Sequence, residues 1–139
     1  MPEITNRMDI YILDTDICIY WLKGDDSIEK KIVQVGFSNI CITVITECEL
    51  FYGAFKSAKK EKNLSVIGEL KSKINTLHTV EGVSPIYGKL KSELGNKGQT
   101  IDDADLLIAS IALLNNAILV TNNISHFKRI PGLKIENWK

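Results

Sequence analysis

Short apolar runs recur along this chain, each followed by a segment of helical periodicity, and this alternation restricts the fold more than any other feature. Ile10 to Leu13, "NICITV" (39–44) and "AILVT" (117–121) read as buried strands. "TDICIYWLKG" (15–24) reads as a helix stopped by Gly24, and "DDSIEKKIVQVG" (25–36) as one capped by Asp26 or Ser27 and stopped by Gly36. "ITECELFYGAFKSAKKEKN" (45–63), "LSVIGELKSKI" (64–74) and "SPIYGKLKSELGNKG" (84–98) read as further helices, and "DDADLLIASIALLNN" (102–116) as one that is almost wholly apolar. "LHTV" (77–80) and "LKIENW" (133–138) complete the set as weaker strands. Strands alternating with helices require a parallel sheet covered on both faces. The expectation is an α/β chain: one three-layer α/β/α domain over residues 1–139, around a central, mainly parallel sheet of about four to five strands.

Composition excludes several classes. At 45% apolar and 24% charged residues the chain is neither disordered nor fibrous. Cys18, Cys41 and Cys48 form no CxxC pair and are odd in number, which argues against a disulfide framework or a zinc knuckle and suits a reducing cytoplasm. No run reaches the ~18 apolar residues of a membrane span, and "MPEITNR" lacks the apolar core of a signal peptide. Residues 1–8 read as a short N-terminal extension, with Met8 an alternative start. Basic and acidic residues balance at 17 each, but Lys56, Lys59, Lys60, Lys62, Lys71 and Lys73 crowd one region while Asp102, Asp103 and Asp105 crowd another. Such runs are most simply solvated helix faces.

In parallel sheets, function collects where the strands end. Asp14 and Asp16 follow the first strand, Glu47 and Glu49 lie early in the helix after the second, Asp102, Asp103 and Asp105 open the apolar helix, and Thr121, Asn122 and Asn123 follow the next strand. Carboxylates gathered there repel one another unless a cation neutralises them. An oxygen-only ligand set suits Mg²⁺ or Mn²⁺ rather than Zn²⁺, and an open site of that kind hydrolyses phosphodiesters with a metal-activated water. Asp102 and Asp103 read more simply as helix-capping residues. Asp105, followed at once by "LLIA", sits at the mouth of a buried helix and needs a partner. Glu47 and Glu49 are about 200° apart on a helix, so only one of them faces the site, the other reading as a surface residue. His78 and His126 stand alone and read as surface or packing residues.

"YILDTDICIYWL", "TVITECELFYGA", "GQTIDDADLLIASIAL" and "AILVTNNISHFKRIPGLKIENW" together resemble the successive motifs of PIN-domain ribonucleases, in particular VapC-type toxins of bacterial toxin–antitoxin pairs. The resemblance implies a Mg²⁺- or Mn²⁺-dependent endoribonuclease acting on structured RNA such as tRNA or rRNA, a homodimer, and a VapB-like antitoxin covering the groove. Carried over by position, the catalytic set is Asp14, Glu49, Asp105 and Asn123, with Asp14, Glu49 and Asp105 on the metal. Asp16, Thr121, Asn122 and Asp103 stand behind them as supporting groups, Glu47 drops out, and Lys56, Lys59 and Lys60 are placed on RNA phosphates. Asp16 departs from the Asn these toxins usually carry, and an amide at position 123 is a weaker cation ligand than a carboxylate. Leu50, Phe51, Tyr52 and Phe55 are candidates for an apolar contact surface. Two other readings compete: a haloacid-dehalogenase-like phosphatase with Asp14 as nucleophile, since "LDTD" also fits that motif, and a catalytically inactive PIN-fold binding protein. Ile17-Cys18 stands where the phosphatase pattern wants Gly-Thr.

Overall fold

In the computed structural model, which describes residues 9–139, the apolar runs pair into a five-stranded sheet in the order β3-β2-β1-β4-β5. The strands are β1 (Tyr11–Leu13), β2 (Ile40–Thr43), β3 (Asn75–Leu77), β4 (Ile118–Val120) and β5 (Lys134–Glu136). Every neighbouring pair is parallel, with Tyr11 opposite both Ile40 and Ile118. The expected extension over residues 1–8 lies outside the described residues.

The central strands β2 and β4 are buried throughout, the edge strands β3 and β5 are partly exposed, and successive residues feed opposite layers. Ile12, Cys41 and Leu119 face one apolar cluster, packed by α5 (Val83–Asn96), α6 (Asp103–Leu114) and Phe127 of α7 (Ile124–Phe127). Leu13, Ile42 and Val120 face the other, packed by α1 (Thr15–Leu22), α2 (Asp26–Val35), α3 (Val44–Lys56), α4 (Lys60–Lys73) and Trp138. Gly24 and Gly36 follow α1 and α2 with φ of 90° each, a conformation open to glycine, so both stops occur where the sequence places them.

Several boundaries differ from the sequence reading, each for a local reason. Asp25, rather than Asp26 or Ser27, caps α2, its Oδ1 accepting from the N–H groups of Ser27 and Ile28. The α3–α4 break falls at Ser57 and not at Asn63, because Ser57 turns extended and its Oγ accepts from the Lys59 N–H and the Asn63 amide, both at 3.0 Å. A hydroxyl that satisfies backbone donors competes with the helix ladder. The third strand starts at Asn75 instead of Leu77, since Cys41, Ile42 and Thr43 supply a parallel partner for Asn75, Thr76 and Leu77. One turn of 3-10 helix (Phe37–Asn39) and the short α7 carry too few residues to show a period. Leu50 belongs to the core, while Tyr52 and Phe55 of the same predicted contact surface are exposed. Among the described residues the three cysteines are free and no helix is long and apolar enough to cross a membrane.

The sheet order creates a crevice. The chain moves outward from β1 to β2 and β3, then returns through α5 and α6 to lay β4 on the other side of β1. The carboxyl ends of β1 and β4 therefore lie side by side with their following segments diverging, which is where open α/β sheets bind ligands.

Leu119 is fully buried in the centre of this arrangement. Leu119→Ala is expected to cost about 2–5 kcal/mol in urea unfolding, against less than about 0.5 kcal/mol for exposed Val33→Ala. Equal losses would contradict the placement of the core.

Candidate active site

Asp14 leaves the sheet and enters a helix in one residue. Its N–H donates to the Val120 carbonyl at 2.9 Å, while its carboxylate occupies the N-cap of α1. Oδ1 accepts from the Thr15 N–H and Oδ2 from the Thr121 hydroxyl, each at 2.8 Å, and the Thr121 oxygen accepts in turn from the Asn123 N–H at 3.0 Å. The side chain is buried, with 6% of the residue exposed. Burial, followed by the neighbouring Asp16 charge, pushes its pKa up to about 7, although the hydrogen bonds from Thr121 and Thr15 pull it down.

Asp16 links two turns. Its Oδ2 accepts from the Asn122 N–H at 3.1 Å and its Oδ1 from the Ile17 N–H at 2.7 Å, so the β1–α1 corner is tied to the segment after β4. Burial raises its pKa as well. Asp105 lies in the first turn of α6, where burial raises its pKa, His126 opposes the rise, and Glu49, Asp102 and Asp16 add to it. Glu49 points into the same region from α3, its Oε1 accepting from the Thr15 hydroxyl at 2.5 Å; Thr15 also lies 3.0 Å from the Thr46 hydroxyl.

Glu47 goes the other way. Its carboxylate pairs with Lys71 of α4 at 2.9 Å and accepts from the Thr76 hydroxyl of β3 at 2.8 Å. Burial works to raise its pKa, but the bonds from Lys71 and Thr76 prevail and hold it below the usual carboxylate range. It is therefore not the solvated surface residue expected of the odd glutamate; it ties α3 to α4 and β3. Asp103, expected behind the ligands, is held away by Lys91 and Tyr87 of α5, both at 2.8 Å from its Oδ1, and joins α6 to α5. Asp102 takes the N-cap position of α6 without a side-chain cap bond. Asn123 is exposed at the N-cap of α7, and the Asn122 side chain accepts from the Asn137 amide at 3.0 Å.

The charges felt by Asp14 are those of Asp16 and Asp105, and those felt by Asp105 are Glu49, Asp102 and Asp16, with His126 alone in opposition. Uncompensated acids of this kind fit a cation. Among the described residues no three His, Cys, Asp or Glu side chains are gathered closely enough to enclose an ion by themselves. The donor set instead fits an open oxygen site, with few protein ligands and the remaining positions left to water and phosphate, the usual manner of holding Mg²⁺. A groove of about 410 Å³ runs from Glu49 between α1, α3 and α4, lined also by Ile19, Leu22, Leu50, Lys62 and Ile67. Lys56 is seven residues beyond Glu49 on the same helix face, about 10 Å along the axis, with its Nζ 4.7 Å from the centre of the Tyr52 ring. Lys59 and Lys60 lie at the α3–α4 joint.

Thr15 was not among the residues singled out from the sequence, and His126 was read there only as a surface or packing residue. Thr15 stands between two aspartates, but its role depends on where α3 packs. His126 follows Asn123 by three residues, a helical spacing that returns it to the same face of α7; its Nε2 lies 3.3 Å from Asp105 Oδ2.

The PIN domain family matches residues 11–133. Ribonuclease VapC2 of Rickettsia felis is 45% identical over 131 residues, covering 93% of this chain and 98% of that protein. The tRNA(fMet)-specific endonuclease VapC of Salmonella typhimurium is 35% identical over 128 residues, 92% of this chain and 97% of that one. The crystal structure of VapBC2 from Rickettsia felis bound to a DNA fragment from their promoter contains a chain that superposes with a TM-score of 0.89 at 44% identity, covering 94% of this chain and 99% of that chain.

The Asp14 shift makes stability depend on pH. Without a bound cation the folded protein keeps this proton up to about pH 7, whereas the unfolded chain releases it near the ordinary value of 3.8. Between those values the native state binds more protons than the unfolded state, so stability falls as pH rises through the window. At about 1.4 kcal/mol per pKa unit the loss is on the order of a few kcal/mol. The urea midpoint of cation-free protein is expected to be lower at about pH 8 than at about pH 5, and Asp14→Asn, with no proton to lose, is expected to remove most of that difference. A wild-type midpoint that stays level or rises would contradict the assignment.

Proposed function

The chain belongs to the PIN-domain family, among its VapC ribonucleases, and we propose that it is the endoribonuclease toxin of a toxin–antitoxin pair, cutting structured RNA such as tRNA or rRNA with the aid of Mg²⁺ or Mn²⁺. The observation that carries this reading is the set of mutually repelling acids from β1, α3 and α6 at the crevice between β1 and β4, with Asp14 pushed up to about 7 by burial and then by the Asp16 charge. Asp14, Glu49 and Asp105 would hold the ion, with Asn123 beside them. Once bound, it supplies positive charge to the scissile phosphate and lowers the pKa of the attacking water.

The protein's own groups prepare that chemistry. Thr121 and the Thr15 N–H fix both oxygens of Asp14, and the Thr15 hydroxyl fixes Glu49, so the acids are oriented before RNA arrives. Either Glu49 or Asp105 takes the proton of the attacking water. Lys56, Lys59 and Lys60 grip flanking phosphates from the far end of α3. A VapB-like antitoxin fills the groove beside Glu49, in keeping with the VapBC complexes among the similar structures. Exposed Tyr52 and Phe55 serve a homodimer contact, and the three free cysteines accord with a cytoplasmic setting. The phosphatase reading is set aside: the family is PIN, Asp16 is engaged with Asn122 where a proton donor is required, and both Asp14 oxygens are hydrogen-bonded rather than free to attack phosphorus.

Purified protein, free of any second chain, is expected to cut total cellular RNA into discrete fragments with Mg²⁺ or Mn²⁺ and not with EDTA. Asp14→Asn and Glu49→Gln should each reduce cleavage at least roughly a hundredfold, because a ligand matters more than the outer partners whose loss costs ~10–100-fold. Glu47→Gln should keep cleavage and lose about 1–2 kcal/mol of stability through its partners on α4 and β3. RNA that is bound but left intact with every metal would overturn the nuclease reading in favour of an inactive binding protein.

A further inference from the structure

His126 lies outside every role assigned so far. Its Nε2 is shielded from solvent and has no hydrogen-bond partner, the one such buried side-chain polar atom among the described residues. A buried nitrogen left unpaired costs free energy, so its placement calls for a reason. The nearest acidic group is Asp105, whose Oδ2 lies 3.3 Å away, within ion-pair reach but out of line for a hydrogen bond. The ring is held there from below. His126 stacks edge-on against Phe127 at 5.6 Å between ring centres, Phe127 is fully buried, and the His126 and Phe127 N–H groups both donate to the Asn123 carbonyl. Nothing else among the described residues hydrogen-bonds the Asp105 carboxylate, whereas Asp14 and Glu49 each have a hydroxyl to orient them.

We propose that His126 is the positioning residue for Asp105: its Nε2–H donates to Oδ2 and leaves the other carboxylate oxygen directed at the cation. The proposal rests on the metal-site reading above. Bonds of this type are often long or misaligned in the empty site and tighten when it is filled. Partners that orient ligating carboxylates act on the ion through the ligand, and losing one costs ~10–100-fold in metal affinity. His126 thus does for Asp105 what Thr121 does for Asp14, and the short α7 sets both Asn123 and His126 around the same crevice.

The test is Mn²⁺ affinity, read from the electron paramagnetic resonance of the free ion, for wild type, Asp105→Asn, His126→Leu and His126→Gln. Glutamine is chosen because its amide nitrogen can donate from about where Nε2 stands, and leucine because it fills the space without a donor. The expected result is that His126→Leu weakens binding about 10–100-fold and that His126→Gln restores it to within a few-fold, with metal-free thermal unfolding little changed in either. Wild-type affinity in His126→Leu would overturn the proposal. So would equal weakening in both variants, which would make the effect one of packing. If wild type takes up no Mn²⁺, or Asp105→Asn binds as well as wild type, the metal-site reading itself fails, an outcome distinct from the failure of His126 alone.

Discussion

The hydrogen bond from Thr121 to Asp14 joins the ends of two strands 107 residues apart in the chain, and the site is built outward from it. It exists because β4 returns to pair with β1, which places a hydroxyl beside a carboxylate that burial would otherwise strand. Asp14 then caps α1, and Asp16, two residues on, secures the segment after β4. Each contact satisfies a polar group at the crevice, and together they make the two corners rigid. A ligand set needs that rigidity, since loosely held carboxylates would rotate apart under their own repulsion.

α3 divides its labour by helical phase. Glu49 faces α1 and the crevice, held by Thr15, while Glu47 faces α4 and β3, held by Lys71 and Thr76. Two glutamates two positions apart therefore meet different neighbours, because about 200° separates their directions. The same logic separates Asp105 from Asp103 on α6, where one acid turns to the site and the other to Lys91 and Tyr87.

The acids at the crevice are a local liability to the folded state. With burial raising Asp14, Asp16 and Asp105 together, the cation-free protein gains stability by keeping protons that the chemistry needs removed. A cation would remove that conflict by supplying the charge that the surrounding side chains do not. The adjacent apolar groove beside Glu49 gives a partner chain a way to cover the site.

Much of this was legible in the residues alone. The strands, the α1 and α2 stops at Gly24 and Gly36, and the placement of Asp14, Asp105 and Asn123 at element ends follow from periodicity and turn chemistry, which are properties of neighbouring residues. The four motifs in order pointed to the family by resemblance, since each is a local run of residues. The α3–α4 break escaped because Ser57 interrupts a continuous helical pattern by hydrogen bonding, and β3 started early because a partner strand, rather than its own residues, defines it. The tertiary structure alone decided that Glu47 is a tie between elements, that Asp103 ties α6 to α5, and that His126 meets Asp105. Those outcomes depend on which helix face packs against which neighbour, a relation between segments far apart in the chain that local pattern does not encode.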